Sequence, residues 1–165
     1  MSKIDCEIET QVNEVYIKSI VTQYFINSYD QPLELKIGIR KDPNILFNSF
    51  QAKIGDSIMV KSKVISEEKA SIKYTDTVSS GNAAIFVAED KKSNIFILNM
   101  GNIPPKEKVV FISEYIYFTR RTNYYELEVF RKLPIFINKE SNRFSSKLKE
   151  TIHIVTKNKI STLSK

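Results

Sequence analysis

The sequence predicts a mostly β protein: an antiparallel β-sandwich or barrel with one inserted α-helix at about residues 66–80. Three observations predict it. Segments rich in β-branched and aromatic residues recur along the chain, short turns carrying Gly, Pro, Asn or Asp separate them, and one stretch has a clear helical period. Runs of strands joined by hairpin turns favour an antiparallel architecture over alternating strand–helix units.

Residues 14–27, from Glu14 to Asn27, read as a long strand ended by the turn Asn27-Ser-Tyr-Asp-Gln-Pro32. Leu33, Leu35, Ile37 and Ile39 then alternate with polar or small residues, the period of a strand with one wet face. Lys41-Asp-Pro-Asn44 breaks it. Ile45–Ile54 and Ser57–Val64 flank Gly55-Asp56 as a hairpin. Ser66 is placed to cap a helix, Glu67 and Glu68 suit its positive first turn, and Ala70, Tyr74 and Val78 fall on one stripe. Ser79-Ser80-Gly81 ends it, because Gly81 can take the left-handed conformation that closes helices. Ala83–Ala88 and Ile95–Met100 form a second hairpin, and Gly101-Asn-Ile-Pro-Pro105 a rigid loop. Lys108–Phe118, the turn Arg120–Asn123 and Tyr124–Phe130 complete roughly eight strands, with Pro134 closing the body. In the tail, Phe144, Leu148, Ile152 and Val155 fit a helix, whereas Thr151–Thr156 fits a strand, and the two readings stand side by side.

At 165 residues the chain is one domain, or a domain with a tail. Its 42 % apolar and 27 % charged content is that of a globular protein, which excludes a largely disordered chain. No apolar run approaches the ~18 residues of a membrane helix. One Cys, Cys6, precludes an internal disulfide, and with one His, His153, it argues against a structural zinc site. The N-terminus lacks a secretory apolar stretch and none of the Asn residues begins a glycosylation sequon, so the expected compartment is the reducing cytoplasm. The net charge of +6 is unevenly placed: residues 1–140 carry 19 basic and 18 acidic side chains, and residues 141–165 carry six and one.

Few residues suggest chemistry. Cys6 and His153 are the one thiol–imidazole combination, but a Cys–His hydrolase needs them within hydrogen-bond reach and they lie at opposite ends. Glu126 and Glu128 share a strand face, which reads as a solvated face before it reads as an acid–base pair. No catalytic residue, cofactor or metal is expected. Arg120 and Arg121, and in the tail Arg143, Lys147 and Lys149, form basic stretches able to meet an acidic protein, RNA or an anionic surface, or simply to solubilise the chain.

The ordered pieces Thr22-Gln-Tyr-Phe-Ile-Asn27, Gln31-Pro-Leu-Glu34, Phe50-Gln-Ala-Lys-Ile-Gly55, the helix Glu67–Tyr74, Gly81-Asn-Ala-Ala84, Gly101-Asn-Ile-Pro-Pro105 and Tyr125-Glu-Leu127 with Pro134 resemble the vault protein inter-alpha-trypsin (VIT) domain over about residues 12–134. The resemblance implies a β-rich interaction module with no activity of its own, in a family that usually places a von Willebrand factor A domain after it. It marks Ala70, Tyr74, Gly81, Gly101, Asn102, Pro104 and Pro105 as family-motif residues of structural weight. Three positions depart from the pattern: Gly38-Ile-Arg-Lys41 replaces an apolar, proline-containing segment, Lys106 stands where glycine is usual, and Thr77 where a small apolar residue is common. No Asp-x-Ser-x-Ser metal-adhesion motif occurs in the sequence.

The resulting expectation is an N-terminal extension (residues 1–11), a VIT-like β domain (12–134) standing without a von Willebrand domain, and a basic tail (135–165). Its function would be protein–protein interaction in a cytoplasmic scaffold or assembly, vault-related by resemblance, with partner and oligomeric state unspecified. Two alternatives are a nucleic-acid or anionic-surface binder acting through the tail, and a fragment of a longer VIT–von Willebrand A protein.

Overall fold

A computed structural model describes residues 5–41, 44–56, 58–61, 67–90, 95–121, 127–128, 135–136, 148–157, 160 and 162–163. In chain order the elements are β1 (Asp5–Val12), β2 (Tyr16–Ile26), β3 (Leu33–Arg40), β4 (Ile45–Ile54), β5 (Ile58–Lys61), α1 (Glu67–Ser79), β6 (Ala84–Asp90), β7 (Ile95–Ile103), β8 (Lys108–Phe118), β9 (Arg120–Arg121), β10 (Leu127–Glu128), β11 (Ile135–Phe136) and β12 (Leu148–Ile154). A six-stranded sheet runs β12-β1-β2-β8-β4-β5 and a four-stranded sheet β11-β3-β7-β6, while β9 and β10 form a small ribbon. The molecule is therefore a two-sheet β structure with one helix, not a closed barrel.

Strict alternation builds the larger sheet. Both β2 and β8 bury every second residue, and eleven register pairs bring their inward rows side by side. Ile17, Val21 and Phe25 from β2 and Val109, Phe111 and Tyr117 from β8 meet Leu35 of β3 and Leu98, Met100 and Ile103 of β7 in one core. Burying each such aliphatic side chain stabilises the fold by about 1.5–3 kcal/mol. Phe47 ties the layers together, its ring 5.8 Å from Phe96 of the smaller sheet and 5.5 Å from Tyr115 of the larger. Both expected hairpins form, as β4–β5 and β6–β7.

Three expectations change. Residues 5–11 are not an extension: β1 pairs with β2 and delivers Cys6, Ile8 and Val12 into the core. The alternation Cys6-x-Ile8-x-Thr10-x-Val12 is a strand period partly masked by a thiol and a hydroxyl at inward positions. The tail, ambiguous between helix and strand, contributes β12, which lies parallel to β1, while β11 pairs with β3, so strands lie beyond the expected limit at residue 134. The strands number twelve among the described residues rather than about eight, because β1, β11 and β12 join the two sheets and β9 pairs with β10 in a separate ribbon. Of the stretch expected as a strand over Tyr124–Phe130, Leu127–Glu128 is one; the remainder, like Ser66, lies outside the described residues.

Candidate functional site

The family-motif residues converge on one joint, where α1 meets β7 and the loop after it. Helix α1 closes as a Schellman motif: Gly81, at φ +78°, donates its N–H to the Val78 carbonyl at 3.0 Å, and Asn82 donates to the Thr77 carbonyl at 3.1 Å. Gly101 permits the close packing of this helix on β7. A Cβ there would lie 2.7 Å from Val78 Cγ2 and 2.8 Å from the Tyr74 hydroxyl oxygen. Tyr74 itself is half-buried, its ring 5.9 Å from that of Phe86 on β6. Burial first, and the Glu34 carboxylate second, raise its phenol above the usual tyrosine range. Asn102, at φ +53°, turns its amide back to the helix and donates to the Val78 carbonyl at 2.6 Å. Ala70 lies in α1 as expected, and no more than its backbone is described.

A residue outside the expected site set holds the other side of the joint. Asn27 is 0 % exposed at the end of β2. Its Nδ2 reaches the carbonyls of Gln31 at 2.9 Å and of Ile103 and Pro104 at 3.0 Å, and its Oδ1 accepts from the Tyr29 N–H at 3.1 Å. The Pro104 carbonyl also accepts from the Glu107 N–H at 3.3 Å, and the Glu107 carbonyl from the Asn27 N–H at 3.0 Å. Pro104 and Pro105 thus stiffen a loop that Asn27 clamps to β2. The Phe-x-Asn piece of the sequence carried this signal, but an asparagine before a turn also reads as an ordinary turn former. The usual glycine is explained by the next residue: Lys106 sits at φ +60°, a backbone region that glycine occupies without strain. Its Nζ donates to the Ser28 carbonyl at 2.9 Å and pairs with Asp30 at 2.8 Å, so the side chain is used where the family has none.

The candidate interaction residues divide. Arg121 pairs with Leu127 and Arg120 with Glu128 in the β9–β10 ribbon, so the two arginines expected in a turn lie on a strand, and residues 122–126 lie outside the described residues; the arginine side chains, like Arg143 and Lys147, lie outside what is described. Lys149 is exposed on β12, in register with Glu7 of β1. The described tail therefore lies along an acidic row: His153 Nε2 is 3.5 Å from Glu9 Oε1, and Glu14 Oε1 accepts from the Lys157 N–H at 3.0 Å. Cys6 and His153 lie on adjacent strands but form no dyad. Cys6 pairs with Leu148 and His153 with Gln11, five positions along, roughly 17 Å at about 3.3 Å per residue. Cys6 is buried and His153 exposed.

The inward face of the larger sheet also carries an unexpected polar group. Thr10 and Ser19 share a hydrogen bond at 2.8 Å, and Ser19 bonds in turn to the Tyr117 hydroxyl. Gln23, Ser113 and Tyr115 lie beside them; both polar atoms of the Gln23 amide make no hydrogen bond to the protein, while the Ser113 and Tyr115 hydroxyls neighbour one another on β8. Burial pushes the Tyr115 phenol up to about 12. Among the described residues no group of three or more His, Cys, Asp or Glu is placed to hold a metal ion, and no helix is long and apolar enough to cross a membrane.

Tyr74, Gly81, Gly101, Asn102 and Asn27 thus join the helix, the loop after β7 and the end of β2 in a two-sheet β domain. Residues 4–115 match the family model of the vault protein inter-alpha-trypsin domain, and the chain belongs to the VIT domain family. It is similar to two von Willebrand factor A domain-containing proteins of Dictyostelium discoideum. One is 35 % identical over 102 residues, covering 62 % of this chain and 11 % of the relative; the other is 33 % identical over 106 residues, covering 64 % and 12 %. It is also similar to the human protein mono-ADP-ribosyltransferase PARP4, 28 % identical over 112 residues, covering 68 % of this chain and 6 % of that protein. The chain thus spans about a tenth of the length of the first of these relatives.

Proposed function

We propose that this chain is a non-enzymatic protein–protein interaction module with a scaffold or assembly role inside the cell. The family match over residues 4–115 carries the reading. The joint supports it, because Tyr74, Gly81, Gly101, Asn102 and Asn27 serve packing and backbone geometry and leave recognition to the outer faces and edges of the sheets. The placement of Lys149, His153 and Lys157 beside Glu7, Glu9 and Glu14 favours protein docking over an electrostatic tether, since acidic neighbours reduce the field the tail presents to a polyanion. The buried Cys6 and the absence of glycosylation sequons support a reducing compartment.

The test is cross-linking mass spectrometry on the full chain captured from nuclease-treated cell extract at low and high salt. A protein retained at high salt, with cross-links confined to one face or edge, is the expected result. Retention lost with salt would refute docking and assign the tail to a polyanion.

A further inference from the structure

The strand β12 is an unusual member of its sheet. Its first six residues are exposed, among them Leu148 at 54 % and Ile152 at 51 %, and Ile154 alone packs against the core. Its neighbour β1 is the opposite case, with Cys6, Ile8, Thr10 and Val12 all buried. The junction between them therefore rests on backbone pairing rather than on shared core. Among the described residues it is also the one parallel pairing in the two main sheets, beside antiparallel neighbours. The family match spans residues 4–115, so β1 lies within it and β12 lies beyond it.

The edge has a chemistry of its own. Asp5, Glu7 and Glu9 form an acidic outer row, and β12 sets Lys149 opposite Glu7 and His153 near Glu9. The inner row wants apolar partners: Leu148 lies opposite Cys6, Ile152 opposite Thr10 and Ile154 opposite Val12, but Glu150 lies opposite buried Ile8. The resident strand matches the edge in charge and leaves its inner row, Leu148, Glu150 and Ile152, exposed.

We propose that the β1 edge is a strand-docking site for an extended segment of a partner protein. That segment would pair parallel to β1, with basic residues on its outer row and apolar residues on its inner row, and would displace β12, which serves as a detachable internal ligand. Strand addition supplies affinity through backbone hydrogen bonds and specificity through alternate side chains. A tethered resident strand acts at an effective concentration of roughly millimolar, so a partner must outmatch it, and the exposed inner row of β12 is where added apolar cover can do so. The inference deepens the interaction-module reading and rests on it.

The intact chain gives the first readout. Native-state hydrogen exchange of the β12 amides is expected to be at least about a hundredfold faster than that of the β2 and β8 amides, because detachment needs no global unfolding. Equal protection would overturn the proposal. The second readout uses the full chain carrying Thr151→Pro. The Val155 N–H donates to the Val12 carbonyl at 2.8 Å, and the two-residue repeat of a parallel ladder makes the Thr151 amide a donor to β1 as well. A labelled peptide of residues 146–157 should bind this variant. The same peptide with Glu150→Val should bind about fivefold tighter, and with Lys149→Glu and Lys157→Glu about tenfold weaker. Binding indifferent to these changes, or no binding to a folded variant, would overturn the proposal. So would a concentration-dependent dimer of the unaltered chain that Thr151→Pro abolishes, which would assign the edge to a second copy. If Thr151→Pro unfolds the chain, hydrogen exchange decides. Failure of the peptide tests leaves the interaction-module reading intact if cross-links to a partner map to another face; that reading fails on its own terms if none map at all.

Discussion

Replacing Asn27 by Ala removes the clamp between β2 and the Gly101–Pro105 loop without touching the apolar core. The side chain supplies two N–H donors to three carbonyls and one acceptor to the Tyr29 N–H, all at 2.9–3.1 Å and at 0 % exposure. At about 1 kcal/mol net per hydrogen bond, three bonds come to about 3 kcal/mol, with the buried Ile103 carbonyl placing the loss at the upper end. With a urea slope of about 2 kcal/mol per molar, the midpoint should fall by about 1.5 M, and Tm by about 6–12 °C. Asn27→Asp separates geometry from chemistry. It keeps the shape but sets a carboxyl among three carbonyl oxygens, which favours its neutral form and raises its folded-state pKa. A group shifted upward on folding contributes stability that is present below its unfolded value and lost as pH rises through the folded one. The Asp variant should therefore approach the parent protein near pH 4 and fall increasingly below it toward neutrality. Urea titrations at several pH values read both effects. A loss under about 0.5 kcal/mol for Asn27→Ala, the scale of an ordinary surface change, would refute the clamp, and a pH-independent deficit for Asn27→Asp would refute its chemistry.

Other substitutions test the remaining parts of the joint and the sheet. Gly101→Ala should destabilise by about 1–3 kcal/mol through overpacking against Val78 and Tyr74, and Val78→Ala in the same chain should recover part of that loss in urea melts. Lys106→Gly should be close to neutral, because relief of about 1 kcal/mol of left-handed strain offsets the lost hydrogen bond to Ser28 and the exposed ion pair with Asp30, whereas Lys106→Ile should destabilise by more than about 1 kcal/mol, as denaturation midpoints will show. The Glu114 carboxyl is held below its usual range, first by the hydrogen bond from Lys18, at 2.7 Å, and also by that from Asn48, at 2.6 Å. Its stabilisation is present above the unfolded pKa and lost as pH falls through the folded one, so Lys18→Met should raise the Glu114 pKa in an NMR titration and flatten the acid limb of the stability curve.

What the sequence made legible follows period and punctuation. Long alternating strands such as β2 and β8, the hairpins about Gly55-Asp56 and before Ile95, and the helix ended at Gly81 all carry local signals strong enough to read without the fold. Short or mixed segments do not. The strand β1 puts Cys6 and Thr10 on its inner face and carboxylates on its outer one, so its composition reads as a polar extension until β2 lies beside it. β12 is exposed on both faces and has no amphipathic period to detect; a register with β1, distant in sequence, makes it a strand. The joint was half legible. Gly101 and the prolines announced a constrained loop, but that Gly101 answers to Val78 and Tyr74, and the loop to Asn27, are tertiary facts with no local trace.

The buried polar row poses the sharper physical question. Gln23 is 2 % exposed, paired in register with Cys6 on one side and Phe111 on the other, and both atoms of its amide lack a protein partner. An unpaired buried amide costs about 1–3 kcal/mol in desolvation, and replacing it with an apolar group of like shape removes that cost. Gln23→Met should therefore stabilise the protein by about 1–2 kcal/mol, with an unchanged urea slope. Ser113→Ala should cost no more than about 1 kcal/mol, the net value of its hydrogen bond with the Tyr115 hydroxyl. Thr10→Val should instead destabilise, because it takes a partner from the bonded chain of Thr10, Ser19 and Tyr117. The contrast separates two accounts of polar residues in a sandwich core. If the row is a single satisfied network, all three changes lose stability together. If the bonded chain fixes the register of β1, β2 and β8 while Gln23 lies outside it, the signs of Gln23→Met and Thr10→Val divide as stated. Equilibrium unfolding of the three variants decides, and a loss on Gln23→Met would show that its amide is engaged and refute the reading of it as a stability cost.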